Sequence, residues 1–186
     1  MKKIREINPG FDRSLKEKRV IPITAFSFLF SEMVQYMTQK LSEDKDFDLE
    51  EKLSSLGYPI GEKVLELCYC REKNFKREIK ISNMLLFIHN NVWKMLFNKT
   101  ADGLQRSSED EEEYRLIENS PITNKFIPIS KNNPVNCASF IGGIIEGILN
   151  SADFRCKVSP YFYDGNKTYY IIKFDKDVIA RDNQLK

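Results

Sequence analysis

The sequence predicts an α+β domain, with helices layered on a small antiparallel sheet. Two observations carry that prediction. Through the first half of the 186 residues, apolar side chains recur at three- and four-residue steps, the period of a helix with a buried face. In the last third, the runs FRCKVSPYFY (154–163) and TYYIIKF (168–174) are β-branched and aromatic, and Asp164-Gly165-Asn166 between them is a hairpin signal. Helices first and a hairpin last is the order of an α+β layer structure. With 41% hydrophobic and 12% aromatic residues, the chain suits one domain with its own core.

The first helix is expected over 20–41, where Phe26, Leu29, Phe30, Met33, Met37 and Leu41 make a stripe that Ala25, Phe28 and Tyr36 widen. A surface helix needs an apolar band of roughly 100°, so the wider band implies burial on two sides. A second helical region, 47–73, is expected to break around Leu56-Gly57-Tyr58-Pro59 and resume as IGEKVLELCYC. The third, 77–98, is the most strongly periodic. Ile81, Leu85, Ile88 and Val92 form one stripe, and Leu86, Trp93 and Phe97 another. Residues 99–112 turn polar and read as a loop leading into a strand at 114–118, with FIPI (126–129) as a short extended piece. A fourth helix follows over 135–150, and then the hairpin, where Pro160 implies an edge position or a bulge.

A net charge of +2 lacks the basic face that phosphate binding needs, so nucleic acid is not an expected partner. Residues 1–19 hold seven Lys/Arg against three Asp/Glu and read as a basic arm ahead of a domain at 20–182, with 183–186 as a tail. The apolar run that starts at Val20 meets Glu32 soon after, so the start does not read as a secretion signal. Nothing approaches the ~20 apolar residues of a membrane span. Four cysteines, at 68, 70, 137 and 156, do not form the framework of a small secreted protein.

Cys137 is the candidate that would make this chain an enzyme. Asn136 as N-cap places it at the first helical position, where a thiol pKa falls. A catalytic cysteine also needs a base, and the one histidine, His89, sits on an apolar helix face. The sequence therefore assigns no catalytic residue. Cys68 and Cys70 point to opposite sides of a helix and lack metal-ligand spacing, so no metal and no cofactor is expected. The run Gly57-Tyr58-Pro59-Ile60-Gly61-Glu62-Lys63-Val64 fails as a phosphate loop, because Glu62 separates Gly61 from Lys63 and Val64 replaces the hydroxyl. Ser107 and Ser108, ahead of the acidic run 109–113, are candidate phosphorylation sites on a solvated loop edge. Gly143-xxx-Gly147, with Gly142 and Ala138 alongside, predicts close helix packing against the chain's own sheet or a partner.

Five separated segments, FSFLFSEMVQY, LGYPIGEKVLEL, REKNFKREIKISNMLLFIHNNVWKMLFNKTADGL, NCASFIGGIIEGIL and IIKFDKDVIARD, together resemble the small core subunits of the transport protein particle (TRAPP), most closely the subunit-five type. The match runs over residues 20–182. The resemblance implies helices on one side of a small twisted antiparallel sheet and pairing with other small subunits through the helices. It implies a heterodimer with the founding-type subunit and contact with an adaptor subunit. The whole complex would tether vesicles and act as guanine nucleotide exchange factor for a Rab GTPase in endoplasmic-reticulum-to-Golgi transport. The chain itself would be non-catalytic and cytoplasmic, associated peripherally with those membranes through the complex. Phe28, Tyr36, His89 and Trp93 are the expected interface residues. The founding-type subunit's acylated cysteine has no counterpart in REKNFKREIK, the region just before the third helix. The competing readings are a cysteine-dependent enzyme using Cys137 and a carrier with a lipid pocket between its helices.

Overall fold

A computed structural model describes residues 20–41, 48–71, 77–108, 110, 112–125, 127, 135–163 and 167–185. The basic arm 1–19, the turn Asp164-Gly165-Asn166 and all of FIPI but Ile127 lie outside these residues.

Helix α1 (Ile23–Leu41) leads to α2 (Leu49–Arg71), then α3 (Ile81–Phe87), a π-helical turn (Ile88–Val92) and α4 (Trp93–Phe97). Strands β1 (Gly103–Arg106) and β2 (Glu113–Glu118) follow, then α5 (Ser139–Ser151), β3 (Cys156–Tyr163), β4 (Lys167–Phe174) and α6 (Lys176–Gln184). The sheet is antiparallel, in the order β1-β2-β4-β3. In β4, Thr168, Tyr170, Ile172 and Phe174 are buried, while Lys167, Tyr169, Ile171 and Lys173 alternate on the other, more open face. The helices cover the first face. There Leu116, Val158, Tyr170 and Ile172 share a core with Ile81, Leu85, Ile88 and Val92 of the third helical segment and Ile141, Ile145 and Ile148 of α5. The predicted α+β layering is what forms.

Two predictions of secondary structure change. Helix α2 does not break at Gly57-Tyr58-Pro59 but runs through it. Gly57 and Gly61 face α5, and a Cβ on either would stand 2.1 Å from the Phe140 carbonyl oxygen or 2.2 Å from that of Ile144. From the other side, a Cβ on Gly143 or Gly147 would stand 2.0 Å from the Ser54 carbonyl oxygen or 2.1 Å from that of Tyr58. Each helix lays a Gly-xxx-Gly ridge on the other's backbone. The contact lowers the free energy enough to carry the glycines' cost of about 1 kcal/mol each. The loop predicted over 99–112 also contains strand β1, which pairs Gly103 with Ile117 through to Arg106 with Tyr114. Gly-Leu-Gln-Arg has no β-branched residue, so neighbouring β2 sets its conformation rather than local propensity.

Pro160 lies on an edge strand, as predicted, and that edge is closed. Glu146 Oε2 accepts the Val158 N–H at 2.9 Å and Asn150 Oδ1 accepts that of Cys156 at 2.9 Å. Pro160, next on the same edge, has no N–H to offer a further strand. Helix α6 was not predicted and extends past 182 to Gln184, so the expected tail 183–186 begins inside it. It is held from two sides. Arg181 donates to Asp153 Oδ2 at 2.7 Å and to its carbonyl at 2.6 Å, and Asp182 Oδ1 accepts the Ile81 N–H at 2.9 Å. Lys80, at the N-cap of α3, supplies no side-chain cap, so a residue 101 positions away supplies it.

Candidate functional site

The first two helices meet in a small cluster separate from the main core. Phe30, Val34 and Met37 of α1 fall at four- and three-residue steps and bury against Leu53 of α2 and Cys137. Phe30 packs on Phe26 at 5.4 Å and on Phe140 at 5.4 Å between ring centroids. Met33 packs on the same cluster, and other apolar side chains of α1 turn outward. Phe28 is 75% exposed, Leu29 74% and Tyr36 57%. Ile23 at the start of the helix, with Val20 and Ile21 just before it, is exposed too, as are Leu56 and Ile60 of α2. Large apolar groups concentrated on two adjacent helices cost hydration free energy in the isolated chain, roughly 25 cal/mol for each Å² left in water.

The four residues expected at an interface divide. Phe28 and Tyr36, two turns apart, share the open face of α1. His89 is half-buried on the π turn, where its Nδ1 lies 2.8 Å from Asn90 Oδ1. Its carbonyl accepts the Ala101 N–H at 3.1 Å, which guides the chain back toward the sheet. Trp93 corrects the sequence reading. It is 1% exposed and packs in the core against Phe97 at 5.2 Å and edge-on against Tyr170 at 5.9 Å. The π turn is the reason, since its i→i+5 bond from the Trp93 N–H to the Ile88 carbonyl adds a residue to one turn and rotates Trp93 inward beside Val92. Periodicity counted at 3.6 residues cannot see that insertion. Leu29, placed in the buried stripe by its spacing, and Leu56 and Ile60 are the exposed residues that sequence reasoning missed. No local signal separates an outward Leu29 from an inward Phe30.

Cys137 is not at the first helical position. It lies in a turn ahead of α5, whose N-cap is Ala138. Asn136 still organises the entry, since its Oδ1 accepts the Ala138 N–H at 3.2 Å and the Asn124 side-chain amide at 3.0 Å. Glu50 Oε1 takes the Asn136 N–H at 2.7 Å. Burial, with the nearby Glu50 carboxylate, pushes the Cys137 thiol up to about 11. That is the opposite of activation, and about one thiol in ten thousand would be ionised at neutral pH. Cys156 is raised further by burial, Cys68 is buried with its Sγ 3.6 Å from Met95 Sδ, and Cys70 is exposed. Among the described residues no helix is long and apolar enough to cross a membrane.

Fold and open helix face together are those of an interaction module. The family model described as transport protein particle (TRAPP) component matches residues 26–175, and the chain belongs to that family. Trafficking protein particle complex subunit 5 of Dictyostelium discoideum is 47% identical over 178 residues, covering 92% of this chain and 95% of that one. The Homo sapiens protein of the same name is 38% identical over 177 residues, covering 94% and 92%. The crystal structure of a trafficking protein particle complex subunit 3 from Naegleria fowleri, covalently bound to palmitic acid, superposes with a TM-score of 0.66 at 14% identity. It covers 82% of this chain and 97% of that one, which shows a shared fold.

Proposed function

We propose that this chain is a non-catalytic structural subunit of a transport protein particle complex, the assembly that tethers vesicles and promotes nucleotide exchange on a Rab GTPase in endoplasmic-reticulum-to-Golgi transport. The observation that carries the proposal is the apolar face of α1, open in a chain whose relatives over nearly its whole length are named as subunits of that complex. The partner on this face is another small subunit, of the founding type, bound helix against helix. Phe28 and Tyr36 are its anchors, with Leu29 between them, and His89 marks a second contact on the π turn. An aromatic anchor that is exposed in the free chain and desolvated on binding is the usual energetic centre of such a contact. Contact with an adaptor subunit falls elsewhere on the surface. Membrane association at the endoplasmic reticulum and cis-Golgi and action on the Rab GTPase belong to the assembled complex.

Sedimentation of the purified chain, alone and with the founding-type subunit, tests the pairing. A 1:1 species that Phe28→Asp prevents supports it, and pairing untouched by Phe28→Asp and Tyr36→Asp together would sink it. Affinity purification from the organism's own cells tests the assembly, which requires recovery of the other small subunits.

A further inference from the structure

The loop between β1 and β2 carries a run that neither the fold nor the proposed pairing uses. It reads Ser107-Ser108-Glu109-Asp110-Glu111-Glu112, and Glu113 opens β2, so five consecutive acids follow Ser108. The two serines are placed differently. Ser107 is half-buried and still tied to the neighbouring strand, since its N–H donates to the Glu113 carbonyl at 3.0 Å. Its hydroxyl oxygen accepts the Asp110 N–H at 3.4 Å. Ser108, the next residue, is exposed. Asp110 is engaged within the loop and beside it. Its Oδ2 meets Lys173 Nζ at 3.2 Å, and its Oδ1 accepts the Glu112 N–H at 2.9 Å. No apolar residue stands between Arg106 and Tyr114, so opening this loop uncovers no apolar side chain of its own.

We propose that Ser108 is a phosphorylation site for an acid-directed serine/threonine kinase, the class whose substrate groove is lined by Lys and Arg. Charge complementarity carries the recognition. Such a groove reads acidic side chains that follow the serine, the third position above all. For Ser108 that position is Glu111. For Ser107 it is Asp110, whose carboxylate already serves Lys173 and the turn. In the reaction, Ser108 Oγ attacks the γ-phosphorus of ATP held by the kinase. An Oγ–P bond forms as the bond from that phosphorus to the β,γ-bridging oxygen breaks. ADP leaves with the electron pair, and the hydroxyl proton passes to the catalytic aspartate of the kinase. The product adds a charge of about −1.5 to −2 beside a run that already holds five carboxylates. The site belongs to the β1–β2 hairpin and not to α1, so it stands independently of the pairing proposed above.

Incubation of the purified full-length chain with casein kinase 2, an acid-directed kinase, and magnesium ATP tests the site. Intact-mass and fragment-ion mass spectrometry read the product. One phosphoryl group on Ser108 is expected, with none at this loop in Ser108→Ala and an unchanged rate in Ser107→Ala. Glu111→Gln keeps the serine but removes a recognised charge, and should slow the reaction about tenfold or more. Ser108 is exposed, so Ser108→Ala should leave the fold intact, and circular dichroism of each variant checks this. A parent chain without phosphate on this loop overturns the proposal. So does a phosphate that sits on Ser107, or one that persists on the loop in Ser108→Ala. An unchanged rate in Glu111→Gln overturns it as well, because the acids would then not be what the kinase reads.

Discussion

Cys137 shows how one residue's neighbours reverse its chemistry. A thiol ahead of a helix reads as activated in the sequence, yet here burial and Glu50 drive it the other way. Iodoacetamide at neutral pH should therefore label exposed Cys70 and leave Cys137 unmodified until the chain unfolds; prompt labelling of Cys137 in the folded chain would contradict this placement. Glu118 gives the residue-scale pH dependence. Burial raises its carboxyl above the ordinary value of 4.5, and the Lys99 hydrogen bond and charge offset only part of that. Lys99 is itself partly desolvated, but Glu118, with Asp102, carries its ammonium above 10.5. A raised acid stabilises the fold fully below its unfolded value, and that contribution is lost as pH rises through the folded one. Glu118→Gln should flatten the stability profile from pH 4.5 upward, as denaturant titrations across that range would record. An unchanged slope would mean that the carboxyl is not desolvated.

The crossing of α2 with α5 is where single elements become a fold. Two Gly-xxx-Gly ridges meet backbone to backbone, and at four positions a Cβ would fall about 2 Å from a carbonyl oxygen that cannot swing aside. Gly61→Ala and Gly147→Ala should each destabilise the chain by about 3 kcal/mol or more, as overpacking against a rigid neighbour does. Gly142 is the control in the same helix, because its Cβ would meet Pro160 and Val158 at 3.6 Å and beyond, ordinary contact. Gly142→Ala should be neutral or stabilise by up to about 1 kcal/mol through helix propensity. Thermal and denaturant unfolding of the three variants separates close packing from propensity. At the other end of the layer, Asp182→Ala removes the cap that α6 gives α3. About 1 kcal/mol should be lost, with faster hydrogen exchange at the Ile81 amide as its local signature.

At the scale of the whole molecule, the apolar side chains do two jobs. One set closes the core over the sheet and the other, on α1 and α2, stays exposed. Phe28→Asp and Tyr36→Asp change exposed positions, so stability should move by no more than about 0.5 kcal/mol while pairing with the founding-type subunit is lost. Circular dichroism melting alongside sedimentation reads both. The sheet is closed to a further strand along the β3 edge, where Glu146, Asn150 and Pro160 leave the first half of that strand no N–H to share.

Much of this was legible along the chain. Period 3.6 gave the helices, the aromatic and β-branched runs gave β2, β3 and β4, and Pro160 gave the edge, because each rests on spacing that neighbours in sequence impose. Five ordered segments carried the family. What only the tertiary structure decided depends on which groups meet. The glycines of α2 that look like a break are its contact with α5, and β1 and α6 exist because β2 and Asp153 hold them. Trp93 is core and Phe28 is surface, although both lie in apolar helices, because a π turn rotates one inward and none of the described residues covers the other. Spacing determines that a face is apolar; what lies against that face determines whether it is a core or an interface.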